Sequence, residues 1–419
     1  MSPSPETAAP LEHLFRRESG RMVAHLARLL GPAHLDLAEE VVQDAMLRAL
    51  QSWPYQGMPE NPAAWLFRVA HNLAIDSVRR RRMAAGKEEE IVAELTRSAS
   101  APADDPHIEE QLRDDELRMI FMCCHPDISR DASVALSLKT AGGFGVREIA
   151  RAFLADEAAI AQRLVRAKRQ IREGRLTLEM PRGADLKRRL ESVLEVIYLI
   201  FNEGYSAHEG DGLIRHDLCD EAIRLGALVA SSTIATPAAH ALMALMLLQA
   251  ARLPARVDEA GDPVPLEWQD RARWDQRLIT AGFRAFDRAI AGDEITAYHA
   301  QAAIAATYAR AADPRGVDWP LILELYDQLF AINPSPVVAL NRAVVVAKVR
   351  GAAEGLAAIT GLDSHPRLRG YYLLPAVRGH LLLELGRRTE AAACFRAALE
   401  RPCSEPERRF LQRKLTECY

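Results

Sequence analysis

The strongest constraint on the fold is the spacing of the apolar residues, which recur at steps of three and four along nearly the whole chain. This period matches one face of an α-helix, and the alternation typical of a half-buried strand is missing. Glycine and proline concentrate at breaks such as Gly31-Pro32, Trp53-Pro54 and Asn61-Pro62, where helices are expected to start or stop. A chain of 419 residues, 49% of them hydrophobic, is long enough for two to four domains. The sequence therefore predicts an all-α protein.

Charge and cysteine usage exclude several classes of protein. With 53 basic and 57 acidic side chains the formal net charge is −4, so a surface for nucleic acid requires charge segregation within a domain. No apolar run of about 18 residues is evident, and the first ten residues lack the basic start and apolar stretch of a signal peptide. The six cysteines form no CxxC pair. These features predict a cytoplasmic protein without a membrane partner.

Composition divides the chain into four parts. A helical domain is predicted over residues 11–82, followed by a polar linker over 83–107 that contains few large apolar side chains. A second small helical domain is predicted over 108–176, before the break at Met180-Pro181-Arg182-Gly183. Residues 185–419 are expected to be helical throughout.

The last part shows weak internal repetition. Residues 376–402 place Gly379 and Phe395 on either side of a turn at Gly386, and residues 340–359 repeat this spacing loosely. Tyr326, Leu329 and Pro334 suggest a third unit after a helix over 299–310. The pattern predicts antiparallel helix pairs like those of tetratricopeptide repeats (TPRs), although a generic helical bundle remains an alternative.

Residues 62–82 carry a pattern suited to DNA. Asn72, Asp76, Arg79 and Arg80 are spaced to share one helical face, and the segment ends in four consecutive arginines. Arginines neutralise phosphates, and the amide and carboxylate can meet base edges. Arginines that only offset the C-terminal helix dipole are the alternative.

The helix predicted over residues 36–50 is acidic on its polar edge. Glu40, Gln43 and Asp44 lie on this edge together with Glu39. Such an edge serves either solubility or docking to a basic protein, and the pattern alone does not decide between them.

The second domain ends in a predicted helix-turn-helix. Residues 144–154 form its first helix, the turn follows at 155–157, and residues 158–172 form the second helix. The second helix is expected to bury Ile160, Leu164 and Ala167, and a basic hairpin that packs on protein is the alternative interpretation. Its exposed polar residues predict a recognition helix: Gln162, Arg163, Arg166, Lys168, Arg169 and Arg172.

Residues 11–176 resemble a sigma-70 family sigma factor of the extracytoplasmic-function (ECF) type. The resemblance rests on the segments DLAEEVVQDAMLRAL, PAAWLFRVAHNLAIDSVRRRR and VREIARAFLADEAAIAQRLVRAKRQIR. It implies binding to core RNA polymerase, through the β′ clamp helices and the β flap, and to promoter DNA. It also implies that the chain is not an enzyme and needs no cofactor or metal.

The resemblance implies a role for each candidate residue. Glu40, Gln43 and Asp44 would dock on the clamp helices, and Asn72, Asp76, Arg79 and Arg80 would read and open the −10 element. The loop over 54–61 would capture a flipped base, with Trp53 and Trp65 interpreted as core residues. Arg147, Gln162, Arg163, Arg166 and Lys168 would serve the −35 element.

About 240 residues follow where an ECF factor normally ends. The segments VIYLIFNEGY, residues 196–205, and FMCCHP, residues 121–126, resemble the ECF subgroup with a TPR-like extension. The resemblance implies that the extension modulates or supports activity. A helical-repeat surface usually binds a peptide or another protein, so such a ligand is expected for the extension. Gly204 is expected either to end a helix or to lie in an interface with the sigma domains.

Two alternatives remain open. One is a DNA-binding regulator with a TPR-like sensor domain that does not act as a sigma subunit. The other is an enzyme with a metal site formed by His208, Asp211, His216 and Asp217, although a capping loop explains these residues without a metal. Cys123-Cys124-His125 could similarly bind zinc or sense redox state, but buried structural cysteines are the favoured interpretation.

Overall fold

The structure is a computed structural model that describes residues 5–81, 93, 95–96, 106–153, 155–174, 176–205 and 214–419. Every regular element in these ranges is a helix, apart from a single isolated bridge between Val257 and Pro263. The all-α prediction is confirmed. Two compact units divide the chain, one over residues 1–199 and the other over 200–419.

The first unit contains both predicted sigma domains. Its helices are α1 Pro5–Leu30, α2 Leu35–Gln56, α3 Pro62–Arg81, α4 Pro106–Cys123, α5 Arg130–Thr140, α6 Val146–Ala152, α7 Glu157–Glu173 and the first part of α8 Gly183–Tyr205. Helix α1 packs against α2 and α3 and also against α4 and α5, so it lies between the two predicted domains. The predicted linker over 83–107 lies almost entirely outside the described residues.

Apolar burial explains how α1 holds this unit together. Met22, Val23, Leu26 and Leu30 are buried on α1, at the helical spacing that builds one continuous stripe. Helix α2 is longer than the predicted 36–50. It continues through Pro54 and ends at Gln56, because the next residue, Gly57, has a φ of 81°, which lies outside the helical region.

The second unit consists of helices that pack mainly on their neighbours in sequence. They are the end of α8, α9 His216–Ser231, α10 Pro237–Ala250, α11 Gln276–Ala289, α12 Ala297–Arg310, α13 Trp319–Ile332, α14 Pro336–Arg350, α15 Ala352–Ala358, α16 Leu373–Glu384, α17 Arg388–Leu399 and α18 Glu405–Thr416. Packing between consecutive helices is typical of repeat proteins.

The predicted helix pairs are present, and small residues allow them to approach closely. A Cβ atom on Gly379 of α16 would lie 3.0 Å from the Phe395 ring of α17, and one on Gly355 would lie 2.5 Å from the Ala347 Cβ. The turn glycines Gly351 and Gly386 have φ angles of 96° and 76°, a region that favours glycine.

Gly204 does not cap a helix in a left-handed conformation. It lies inside α8, where a Cβ atom would come 2.7 Å from the backbone nitrogen of Cys219 at the start of α9. Glycine is therefore required for the close approach of α8 and α9.

One segment is apolar and long enough to cross a membrane, contrary to the expectation that no such run exists. It covers Pro237–Ala255, includes α10, and is 67% buried. Because α10 packs against α9, α11 and α12, burial within the second unit accounts for its apolar composition.

Candidate nucleic-acid and polymerase interface

The predicted −10 residues share one exposed face of α3. Asn72, Asp76, Arg79 and Arg80 are all exposed, while Leu73, Ala74 and Val78 between them are buried. The Arg80 Nε donates to the Asp76 carbonyl at 3.3 Å, so the arginine side chain lies along the helix toward this face. Arg68, one turn before Asn72, is also exposed on the same face and was not singled out from the sequence, although its spacing gives the signal.

A buried aromatic and histidine cluster fixes the opposite side of α3. The His71 Nδ1 donates to the Phe67 carbonyl at 2.8 Å, and the His71 ring lies 5.4 Å from the His25 ring of α1. Burial lowers the pKa of His71 to about 4, although the hydrogen bond to Phe67 acts in the opposite direction. His71 is therefore neutral at physiological pH and serves as a core residue.

The connection between α2 and α3 carries an exposed aromatic side chain. Tyr55 is 88% exposed at the end of α2, and Met58 in the following loop is 63% exposed. Trp53 is buried and Trp65 half-buried, with their rings in edge contact at 5.5 Å, which agrees with their interpretation as core residues. The Asn61 Oδ1 accepts from the Ala64 backbone nitrogen at 3.0 Å and so fixes the start of α3.

The predicted polymerase-docking residues lie together on α2. Glu40, Gln43 and Asp44 are exposed on one helical face, and Leu47 continues that face with 54% exposure. Leu47 was not singled out from the sequence, although its i+3 spacing from Asp44 places it on this face. Glu39, by contrast, is buried.

The predicted helix-turn-helix corresponds to α6, a turn and α7. Ile160, Leu164 and Ala167 are buried on α7 as predicted, together with Ile171. Gln162 and Arg166 are exposed on the opposite face, and Arg163 lies half-buried at its edge. This arrangement leaves the face with Gln162 and Arg166 accessible to a ligand.

Lys168 does not share that face. Its Nζ donates to the Asp36 Oδ1 at 2.8 Å and to the Glu39 Oε2 at 3.0 Å, both at the start of α2. Its side chain is only 16% exposed, whereas Arg147 on α6 is exposed and lies 3.5 Å from Glu157. The structure therefore brings Gln162, Arg163 and Arg166 together and places Lys168 in an intramolecular ion pair.

The other candidate sites show no metal geometry. Among the described residues, no group of three or more His, Cys, Asp or Glu side chains could hold a metal ion. His208 and Asp211 lie outside the described residues, and the Asp217 carboxylate pairs with Arg215. Cys123 and Cys124 are buried, and burial raises the pKa of the Cys124 thiol to about 12. Such thiols are structural rather than reactive.

The fold is all-α among the described residues, and its N-terminal unit has exposed polar faces on α2, α3 and α7. Comparison with known proteins relates two parts of the chain to protein families and most of the chain to one relative. Residues 14–83 match the family profile described as Sigma-70 region 2, and residues 189–290 match a family of unknown function (DUF6596). An uncharacterized protein of Rhizobium meliloti (strain 1021) is 43% identical over 384 residues, which cover 91% of this chain and 90% of that protein. No solved structure matches the chain significantly.

The chain belongs to one family with the Rhizobium protein. Its match to Sigma-70 region 2 over residues 14–83 supports a sigma-70 family sigma factor, and proteins of the sigma-70 family are non-enzymatic transcription factors.

Proposed function

We propose that this protein is an ECF-type sigma factor that binds core RNA polymerase and directs promoter-specific transcription initiation in the cytoplasm. The observation that carries the proposal is the exposed face of α3, with Asn72, Asp76, Arg79 and Arg80, inside a segment that matches Sigma-70 region 2. The chain performs no covalent chemistry in this role and uses differential binding to open DNA.

In this proposal, opening of the −10 element combines phosphate contacts with base capture. Arg79 and Arg80 neutralise phosphates, while Asn72 and Asp76 meet base edges. Unstacking a base costs a few kcal/mol, and stacking on an aromatic ring returns about 1–3 kcal/mol per base. Tyr55, because of its 88% exposure in the predicted capture loop, is the ring we assign to that stacking.

The −35 element is assigned to α7. A Gln and two Arg side chains on one recognition helix suit the acceptors and amino groups of base edges and the neighbouring phosphates in a major groove. Gln162 and Arg166 are exposed for this contact, and Arg163 borders them. Arg147 on α6 is assigned to a phosphate. Lys168 would reach DNA only after leaving Asp36 and Glu39.

Docking on polymerase is assigned to the face of α2 that carries Glu40, Gln43, Asp44 and Leu47. Carboxylates on the rim steer the encounter with a basic partner, and burial of Leu47 adds apolar contact. We also propose that the second unit is the TPR-like extension of an ECF subgroup. It would support or restrain the activity and bind a protein or peptide ligand.

In vitro transcription with purified core polymerase and a genomic promoter pool tests the proposal. Discrete starts from the full chain support it, whereas no starts and no binding to core polymerase would refute it. Arg79→Ala/Arg80→Ala should reduce the salt slope of promoter binding by about 1.8, at about 0.9 per lost phosphate contact. Arg113→Ala, an exposed arginine of α4 in the same unit, is the matched control and should leave the slope unchanged.

Two further experiments distinguish a sigma subunit from a regulator that acts without polymerase, and a supporting extension from a restraining one. Asp44→Lys should abolish binding to core polymerase if the chain is a sigma subunit, and should have no effect on a regulator that acts without polymerase. Truncation after Tyr205 tests the role of the extension. The chain is cut there and not near residue 180 because the shorter fragment would lose Arg189. Arg189 is buried and donates to the Phe121 carbonyl at 2.7 Å within the first unit. A silent truncated protein indicates a supporting extension, and a more active one indicates restraint.

A further inference from the structure

Three half-buried arginines of the second unit, Arg252, Arg256 and Arg271, lie close together and are called here the arginine cluster. The guanidinium carbons of Arg252 and Arg271 lie 5.6 and 4.5 Å from the centre of the Trp274 ring, which is 3% exposed. The guanidinium carbon of Arg256 lies 3.7 Å from the centre of the Tyr205 ring. The Tyr205 hydroxyl donates at 2.8 Å to the same glutamine side-chain oxygen that accepts from Arg252 at 3.1 Å. Arg252 is therefore the middle member of the cluster.

The hydrogen bonds of the arginine cluster go to neutral acceptors. Arg252 donates to two glutamine side-chain oxygens, at 3.1 and 3.3 Å. Arg256 donates to the Tyr205 carbonyl at the last residue of α8, and Arg271 donates to two carbonyls at the end of α12, at 2.8 and 2.7 Å. Within the described residues, none of the three arginines forms an ion pair with a carboxylate. The cluster therefore concentrates positive charge in one place.

Helix ends neutralise only part of this charge. Elsewhere in the second unit arginines pair with carboxylates, as Arg224 does with Glu221 at 2.7 Å and two arginines of α18 do with the buried Asp262. In the arginine cluster the compensating groups are the carbonyl ends of α8 and α12. A helix C-terminus carries about −0.5 charge, so two of them leave about two of the three positive charges uncompensated. Partly buried charge of this kind is unfavourable unless a negative group joins it.

The cluster also contains hydrogen-bond donors that are not used within the described part of the chain. The Arg271 Nε and the Trp274 Nε1 are both buried there without an acceptor. Buried donors in folded proteins nearly always have a partner. Burial lowers the pKa values of Arg256 and Arg271, and the positive charge of Arg252 acts in the same direction. A ligand with several acceptor oxygens and more than one negative charge meets both requirements.

We propose that the arginine cluster binds a small phosphate-bearing ligand, either free phosphate or a phosphomonoester. A phosphate group carries about −1.5 to −2 charge and three strong acceptor oxygens, which matches the uncompensated charge better than a single carboxylate does. Guanidinium groups bind phosphate through paired hydrogen bonds. Tyr205 ends the segment VIYLIFNEGY, to which the proposed function gives no role. The site is formed by residues of the second unit alone, so the inference does not depend on the sigma function.

Calorimetric titration of the full chain with inorganic phosphate tests the site. The ionic strength is held constant with chloride, so that screening is equal in all titrations. The unmodified chain should bind with a submillimolar Kd, and Arg252→Gln should weaken binding at least tenfold because it removes the middle charge of the cluster. Arg273→Gln removes an exposed arginine two residues from Arg271 and is the matched control, with an unchanged Kd. No binding by the unmodified chain, or equal binding by Arg252→Gln, would refute the proposal.

Titrations with phenyl phosphate and acetate identify the chemistry of the ligand. Binding of phenyl phosphate at least tenfold tighter than inorganic phosphate indicates a phosphomonoester, and equal or weaker binding indicates free phosphate. Acetate that bound as tightly as phosphate would contradict the phosphate assignment. Glu209→Gln/Asp211→Asn removes two carboxylates that lie outside the described residues and should leave the Kd for phosphate unchanged. At least tenfold tighter binding by this variant would show that carboxylates of the chain itself occupy the cluster, which would overturn the proposal.

Hydrogen exchange locates the bound phosphate without any substitution, so it decides the case in which Arg252→Gln does not fold. Saturating inorganic phosphate should slow amide exchange severalfold in peptides that cover residues 249–274 and the end of α8, relative to chloride at the same ionic strength. Peptides of α3 and α7 should change little. Slower exchange confined to α3 or α7 would place the phosphate on the proposed DNA-binding surface instead and would count against the arginine cluster.

Discussion

The buried carboxylate of Asp115 on α4 binds two side chains of α1. Of the single substitutions in the first unit, its removal is expected to lower the free energy of unfolding most. It is 1% exposed and bonds to His25 Nδ1 at 2.8 Å and to Arg28 Nε at 2.9 Å. A hydrogen bond to a charged group contributes about 1.5–3 kcal/mol. Arg28 is 24% exposed and can partly rehydrate, but His25 cannot. Asp115→Ala should therefore cost about 3–5 kcal/mol.

Hydrogen exchange measures this cost locally in the full chain. A loss of 3–5 kcal/mol corresponds to a fall in amide protection of roughly 10²- to 10³·⁵-fold, at about 1.4 kcal/mol per decade. The fall should appear in peptides of α1 and α4, while peptides of the second unit serve as an internal standard. Asp114→Ala removes the neighbouring exposed carboxylate and should change protection little. A less than tenfold change for Asp115→Ala would show that the buried pair does not stabilise this interface.

Four other expectations follow from single sites. Tyr55→Ala should reduce promoter opening by roughly 5- to 150-fold through loss of 1–3 kcal/mol of base stacking, while Tyr55→Phe should retain it, as permanganate footprinting of the −10 region would show. Since the pKa of His71 is lowered from 6.5 to about 4, the fold should lose up to about 3 kcal/mol as pH falls from 6.5 toward 4. Urea unfolding at several pH values would show this, and a His71→Gln variant with an unchanged pH dependence would contradict it. Asp262→Ala removes the buried carboxylate that binds two arginines of α18, so hydrogen exchange of α18 should accelerate while that of α1 stays constant. Iodoacetamide should modify the half-buried Cys394 before the fully buried Cys124, and the reverse order would indicate a reactive thiol at Cys124.

The helical spacing of apolar residues correctly predicted which face of several helices is buried and which is exposed. The buried stripe of α7 and the exposed face of α3 both follow from spacing within one helix, and local patterns contain that information. The helix pairs at α14–α15 and α16–α17 were predictable for the same reason, because glycines mark both the turns and the close contacts. Helix boundaries were harder to predict than helix faces. Helix α2 extends past Pro54 to Gln56 and ends at Gly57, whose positive φ the apolar spacing does not reveal.

Contacts between distant segments were not predictable from the pattern. The basic composition of α7 predicts a nucleic-acid surface equally for Arg166 and Lys168, but the partners of Lys168 lie 129 and 132 residues earlier. The same holds for Asp262, which is a loop residue in the sequence and a buried anchor for Arg409 and Arg413 in the structure. Sequence period says which side of a helix is polar, and only tertiary structure says which charged partner faces it.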